Sequence, residues 1–206
     1  IKKYYPDFNK ILRRYGSTQI RNVATIAGNI ATASPIGDNL PLLLALDSKV
    51  VLQGIKKNKI LPINDFFISY RKTKLKPGQF IHSIRIPIPD NNIFKAYKIS
   101  KRFDDDISSV CAAFNLKIEK QKIINVKIAY GGMSAIPKRA TYCEKVLLNS
   151  SITKEVIEKA KNALEKDFVP VSDMRASRNY RNVIAKNLLE KCFLEINGKK
   201  LIGIYS

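Results

Sequence analysis

The 206-residue sequence has no tryptophan, one histidine (His82), two methionines and three cysteines. A lone histidine has no second imidazole with which to share a metal. Cys111, Cys143 and Cys192 stand far apart and are odd in number, so neither a CxxC zinc site nor a disulfide framework can be built from them. A reducing cytoplasm is the simplest setting for such cysteines. Cys111 lies in the apolar run Val110-Cys111-Ala112-Ala113-Phe114 and Cys192 at helical spacing from Leu188, so both read as small core hydrophobes, and His82 reads as a neutral strand residue. No apolar run approaches the ~20 residues of a membrane span, and nine Gly and nine Pro are too few for a fibrous or low-complexity chain. The opening Ile1-Lys2-Lys3-Tyr4-Tyr5-Pro6 has neither Met nor the apolar core of a signal peptide, and reads as part of something longer.

Acidic residues are also scarce: 17 Asp and Glu face 37 Lys and Arg, a formal charge of +20. The imbalance is uneven, with 19 basic and 5 acidic residues in 1–103 against 18 and 12 in 104–206. Such a charge points to an anionic partner, whether nucleic acid, a membrane surface or a phosphate-bearing ligand, and makes the first half the anion-facing one. The lysines are scattered, with short clusters only at Lys56-Lys57-Asn58-Lys59 and Arg71-Lys72-Thr73-Lys74-Leu75-Lys76. A duplex binder concentrates charge on one face, so a solvated lysine-biased surface is favoured over a nucleic-acid footprint.

What remains is an ordinary globular composition, 45% hydrophobic and 26% charged. Phe8, Ile11, Leu12 and Tyr15 recur at helical spacing over residues 7–15, with Gly16 as a stop. Asn39–Leu46 reads as a compact apolar helix, and Lys49–Ile55 with Lys59–Ile63 as a hairpin. Phe80–Pro87 reads as a strand with Phe80, His82, Ile84 and Ile86 on one face, and the proline-rich stretch Pro87–Asn92 places a boundary between domains 1–90 and 91–206. The second domain opens with strand-like Phe94–Ser100, Ile107–Ile118 and Ile123–Tyr130, an antiparallel three-stranded meander. Two amphipathic helices follow to cover it. Thr153–Lys166 carries the stripe Val156, Ile157, Ala160, Ala163 and Leu164 behind Thr153 as N-cap. Asn179–Leu194 carries Tyr180, Ile184, Leu188 and Cys192, joined by Val183. The fold class is α+β.

The segment from Asn22 to Asp38 is rich in small and hydroxyl side chains, which let backbone N–H groups approach a phosphate, and Asn29-Ile30 looks like a helix start favouring an anion. It is neither GxGxxG nor a Walker loop, so as a bare pattern a diphosphate cradle and a tight structural loop stand about level. The order of motifs is more specific. Gln19 to Ile30 with Ala33-Ser34-Pro35-Ile36-Gly37-Asp38, then Tyr70-Arg71-Lys72-Thr73 with Lys76-Pro77-Gly78, then Tyr97-Lys98 before Lys101-Arg102-Phe103-Asp104-Asp105-Asp106-Ile107-Ser108, then Tyr130-Gly131-Gly132-Met133, then Ser172 to Ser177 with Tyr180-Arg181, resemble the flavin subunit of the xanthine dehydrogenase family in sequence and order.

That resemblance implies the C-terminal part of a PCMH-type FAD-binding domain followed by a carbon monoxide dehydrogenase flavoprotein-type C-terminal domain. It implies FAD as cofactor, with electrons passing from iron–sulfur clusters through FAD to NAD during purine hydroxylation. The clusters, the molybdenum cofactor and the upstream Gly-rich phosphate loop belong to absent parts or to a molybdenum-bearing large subunit; no nucleic acid or membrane partner is implied. Carried over by position, Thr25, Ile26, Ala27, Gly28 and Asn29 line the diphosphate and Tyr15 packs against the adenine end. Asp38 hydrogen-bonds FAD, Ile81 lies by the isoalloxazine, and Lys98 sets a positive charge near the ring. Ala27 replaces a glycine common in the family. The Asp104–Asp106 loop is either near the flavin or a solvated turn, and Lys98 either faces the ring or snorkels from a half-buried strand. Gly131-Gly132-Met133 reads as a strand-ending turn, and Arg175 and Arg181 as anchors of the last helix. A medium subunit of a carbon monoxide dehydrogenase-like enzyme, a basic nucleic-acid-binding module and a purely structural docking subunit are the other readings.

Overall fold

The computed structural model describes residues 1–55 and 57–198; Lys56 of the first lysine cluster and 199–206 at the end of the expected second domain lie outside the described residues. Four short helices come first: α1 (Pro6–Arg13), α2 (Thr18–Val23), α3 (Ile26–Thr32) and α4 (Asn39–Ala45). Five strands follow, β1 (Lys49–Gly54), β2 (Asn58–Pro62), β3 (Phe67–Ser69), β4 (Lys72–Thr73) and β5 (Gln79–Arg85), and then β6 (Ile93–Ile99), β7 (Val110–Glu119), β8 (Lys122–Gly131) and β9 (Lys138–Arg139). Three helices come last among the described residues: α5 (Thr141–Leu147), α6 (Lys154–Asp167) and α7 (Arg178–Ile196). The strands pair antiparallel in the orders β2-β1-β5, β3-β4 and β6-β7-β8-β9. The fold is α+β, and the expected meander is β6–β8, lengthened at one edge by the two-residue β9.

The β6–β8 sheet is the middle layer because its two faces carry side chains of different size. Successive residues of a strand point to opposite faces. One face presents Ala96, Cys111, Ala113 and Ala129 to the first core, and α4, buried along its whole length, lies against it. The other face presents Phe114, Leu116, Ile128 and Tyr130 to the second core under α5, α6 and α7. Small side chains let one helix come close; large ones fill the wider space beneath three. An edge-to-face aromatic chain crosses this second face, Tyr97–Phe114–Tyr130–Phe168, with centroid separations of 5.8, 5.9 and 5.3 Å.

Several local signals act as expected. Pro6 stands in the first turn of α1, and Gly16 at φ +55° turns the chain away beyond it. Thr153 accepts the Val156 N–H at the start of α6. β8 ends at Gly131, and Gly132 adopts φ +83°, where an added Cβ would stand 2.3 Å from the Ser109 carbonyl. Cys111, Cys143 and Cys192 are free and buried.

Other expectations are corrected. In β5 the pairing register shifts, Val51 facing Ser83 and Leu52 facing Ile81, so the bulge at His82 turns both Ile81 and Ile84 toward the core while Phe80 and His82 are exposed. β7 begins at Val110, since 107–109 serve the loop before it. On α7 the buried side is Arg181, Ala185, Leu188, Leu189, Cys192 and Phe193, leaving Tyr180 and Val183 exposed. The cause is Arg181, whose guanidinium donates to the Ser109 carbonyl, to the Gly132 carbonyl at 2.9 Å and to Asp173 at 2.7 Å. Helices α2 and α5 carry no apolar stripe long enough to announce them. Among the described residues no helix is long and apolar enough to cross a membrane, and no group of His, Cys, Asp or Glu is placed to hold a metal ion.

Candidate functional site

A cleft of about 610 Å³ opens where α2 and α3 face the loop between β6 and β7. Tyr15, Gly16, Ile20 and Val23 form one wall, Thr25, Gly28 and Asn29 of the α3 start another, and Asp105, Asp106 and Ile107 the rim opposite. Asp38 and Lys98 lie at its floor.

The first turn of α3 is fixed by its own cap. Thr25, at extended φ and ψ, accepts the Gly28 N–H on its hydroxyl at 2.9 Å, so the helix starts at Ile26 and not at the expected Asn29-Ile30. The N–H groups of Ile26 and Ala27 have no acceptor within the helix, by the geometry of any helix start. A Cβ on Gly28 would stand 3.0 Å from the Thr25 hydroxyl and meet nothing else within 4 Å, so a larger side chain there would extend toward the cleft. Asn29 donates to the Tyr15 hydroxyl at 3.3 Å, while its buried Oδ1 has no partner. Burial, and next the Asp38 carboxylate, push the Tyr15 phenol above its ordinary value, against the Asn29 hydrogen bond.

The floor is a buried ion pair. The Lys98 ammonium, on a side chain only 1% exposed, donates to Asp38 Oδ2 at 2.7 Å and to the Arg14 carbonyl at 2.8 Å. Asp38 Oδ1 accepts the Ser108 hydroxyl at 2.5 Å. Lys98 therefore does not snorkel: each hydrogen bond ties it to a different element, the end of α1 and the start of α4. Cys111 Sγ lies 3.5 Å from the Asp38 carbonyl, with its thiol pushed well up by burial first and the Asp38 charge second.

The rim loop is held from below by Arg14. Its guanidinium donates to the carbonyls of Lys98 at 2.9 Å and Phe103 at 2.9 and 3.0 Å and to the Ser100 hydroxyl at 3.2 Å, and sits 4.2 Å from the centroid of the Phe103 ring. Within the loop, Asp106 accepts the N–H groups of Arg102 and Ile107 at 2.8 and 2.9 Å, which hold its carboxyl below the ordinary value. The acidic run is thus both a hydrogen-bonded turn and part of the cleft rim.

Of the expected site residues, Tyr15, Thr25, Gly28, Asn29, Asp38 and Lys98 come together in the cleft. Ile26 and Ile81 do not line it and instead pack against the first core, and the half-buried Ala27 also lies outside the lining. Residues with no role assigned from the sequence belong to the site as well. Arg71, at φ +53° in the β3–β4 turn, enters the lining, while Arg14 and Ser108 brace it. Arg71 stands inside one of the quoted motifs; Arg14 directly follows Arg13 and nothing local sets it apart.

A model of the FAD binding domain in molybdopterin dehydrogenase matches residues 1–89, and one of the CO dehydrogenase flavoprotein C-terminal domain matches residues 95–196. The chain belongs to the molybdenum hydroxylase flavoproteins. It is 35% identical over 202 residues to the xanthine dehydrogenase of Blastobotrys adeninivorans, covering 94% of this chain and 14% of that protein. It is 28% identical to the glyceraldehyde dehydrogenase medium chain of Sulfolobus acidocaldarius, covering 95% of this chain and 69% of that one. The reconstituted CO dehydrogenase from Oligotropha carboxidovorans superposes with a TM-score of 0.86 at 26% identity, over 92% of this chain and 66% of its own. The chain is thus an FAD-binding segment that spans a small part of its xanthine dehydrogenase relatives. The polar N–H groups at the α3 start, the unpartnered Asn29 Oδ1 and the open space above Gly28 suit a dinucleotide.

Proposed function

We propose that this segment holds FAD for a xanthine dehydrogenase-like oxidoreductase that passes electrons from iron–sulfur clusters to NAD during hydroxylation of a purine. The observation that carries the reading is the convergence of six expected residues, Tyr15, Thr25, Gly28, Asn29, Asp38 and Lys98, on one cleft. Bound FAD supplies the redox chemistry, taking up electrons and passing them on. The chain supplies position. Thr25, Gly28 and Asn29 of the lining, with the first-turn backbone of Ile26 and Ala27 behind them, cradle the diphosphate, the Asn29 amide oxygen is left to accept from a sugar hydroxyl, and Tyr15 gives a flat wall for the adenine end. Ile81 supports the ring end from the β5 side, through the core beneath. Lys98 acts as half of a pair, its charge offset by a carboxylate 2.7 Å away, and together they hold the Arg14–Tyr15 peptide and the Ser108 turn in place.

The division into domains at 1–90 and 91–206 belongs to this reading, as do a molybdenum-bearing large subunit as partner and a reducing cytoplasm, which suits three buried free thiols. A separate medium subunit of the CO dehydrogenase kind is the second reading, supported by the 28% identity to the Sulfolobus medium chain over 95% of this chain and by the superposition on the Oligotropha CO dehydrogenase. The test is flavin absorbance that stays with the full-length protein through gel filtration, followed by bleaching of the flavin band with NADH. One flavin per chain, bleached by NADH, is the expected result. No retained flavin contradicts the cofactor assignment, and retained flavin that NADH leaves oxidised contradicts the NAD assignment alone.

A further inference from the structure

The segment between α6 and α7 has no regular structure, yet its backbone is pinned at many points. Asp173 accepts the N–H groups of Arg175 at 2.8 Å and Ala176 at 3.1 Å and pairs with Arg181 at 2.7 Å. The Ser172 hydroxyl accepts the Arg178 N–H, and Arg178 Nε donates to the Pro170 carbonyl, both at 2.9 Å. From the cleft side, Lys101 of the rim loop donates to the Met174 carbonyl at 2.8 Å and the Ser109 hydroxyl to the Arg175 carbonyl at 3.4 Å.

On this fixed backbone Val169, Val171 and Met174 are 73, 65 and 81% exposed, and Tyr180 and Val183 are exposed on the first turns of α7 that follow. Their exposure adds nothing to the fold and leaves apolar area in water, the mark of a surface that meets something else. Being already ordered, the strip loses little conformational freedom when covered. The charges on the same surface are basic, Lys101, Arg175 and Arg178, and the carboxylate of Asp173 is engaged by the buried Arg181.

We propose that residues 169–183 form a docking strip beside the cofactor cleft for a protein surface that carries carboxylates around an apolar centre. The apolar middle favours a protein over nucleic acid, whose phosphates would need basic side chains where Val171 and Met174 stand. The basic frame selects an acidic partner surface and steers its approach. Lys101 of the rim loop and Ser109 at its end fasten the strip to the loop that forms the cleft's rim, so a polypeptide seated there lies next to the cofactor cleft.

The test uses the full-length protein in its native assembly, with Met174 replaced in turn by Ser, Asp and Lys. Hydrogen exchange of residues 169–178 is followed in the assembly and after its separation by high salt, and a zero-length carbodiimide maps carboxylates joined to Lys101. The expected result is slower exchange in the assembly and coupling of Lys101 to acidic residues on another subunit, and coupling confined to the protein's own chain would overturn the proposal. Association should weaken about tenfold in Met174→Ser and further in Met174→Asp, with Met174→Lys nearest to wild type, and with flavin content and unfolding midpoint unchanged. Equal association for all three variants, unchanged exchange, coupling only to a second copy of the strip, or oligonucleotide capture through it would each overturn the proposal.

Discussion

Around the cleft, α2 buries none of its residues and α3 only Ile30, whereas α6 buries Ala160, Ala163, Leu164 and Asp167 and α7 a full face from Arg181 to Phe193. Helices as short as α2 and α3 do not persist on their own propensity. The cleft is shaped by polar pins from distant parts of the chain: the Thr25 cap, the Arg14 grip on the rim loop and the Lys98–Asp38 pair. The far face of the β6–β8 sheet rests on large interlocking apolar side chains instead. The difference teaches where each kind of change will register. Disturbing the sheet and its helices should cost stability, and disturbing the cleft should cost cofactor first.

The sharpest break of that comparison is Gly132→Ala. The new Cβ would press on the Ser109 carbonyl and the Arg181 guanidinium at a left-handed backbone position, with nothing flexible to give way. A loss of about 4 kcal/mol in denaturant unfolding is expected; a loss below about 1 kcal/mol would show that the β8 end and α7 can part without harm.

Lys98→Met should cost about 3 kcal/mol, because it leaves the Asp38 carboxylate buried without its cation, and it is the cleft-side change that behaves like a core change. The same variant should lower the flavin midpoint potential while flavin is retained, since an uncompensated negative charge then faces the reduced cofactor. Lys98→Met with Asp38→Leu should recover most of both effects. A potential equal to wild type in the single variant would remove Lys98 and Asp38 from any electrostatic role.

Thr25→Ala removes the cap of α3 and should lower stability by about 1 kcal/mol, with weaker FAD binding in a direct titration of the full-length protein. Unchanged affinity would mean that the bound dinucleotide orders the turn without the hydroxyl.

Much of the second half was legible in sequence. The α6 stripe and its Thr153 cap follow from period and chemistry within one window, as does the β6–β8 meander. Arg181 is the helix anchor its motif marked, but an apolar count along α7 passes over it and so misplaces the buried face, because only the three-dimensional convergence of the Ser109 and Gly132 carbonyls and Asp173 makes its burial favourable. In β5 one bulge at His82 was enough to move Ile81 and Ile84 to the same side. The cleft was legible through its ordered motifs, but its floor was not. Lys98 and Asp38 are 60 positions apart, and no spacing rule reports that each spends its charge on the other.

The most direct test of the central claim is Gly28→Val in the full-length protein, with bound flavin per chain and unfolding midpoint measured on the same sample. Gly28 is exposed at the α3 start and lines the cleft, and a Cβ there meets only the Thr25 hydroxyl. The account predicts that flavin is largely lost while stability falls by less than about 1 kcal/mol. Full flavin occupancy with the same midpoint would contradict the placement of the dinucleotide at this turn.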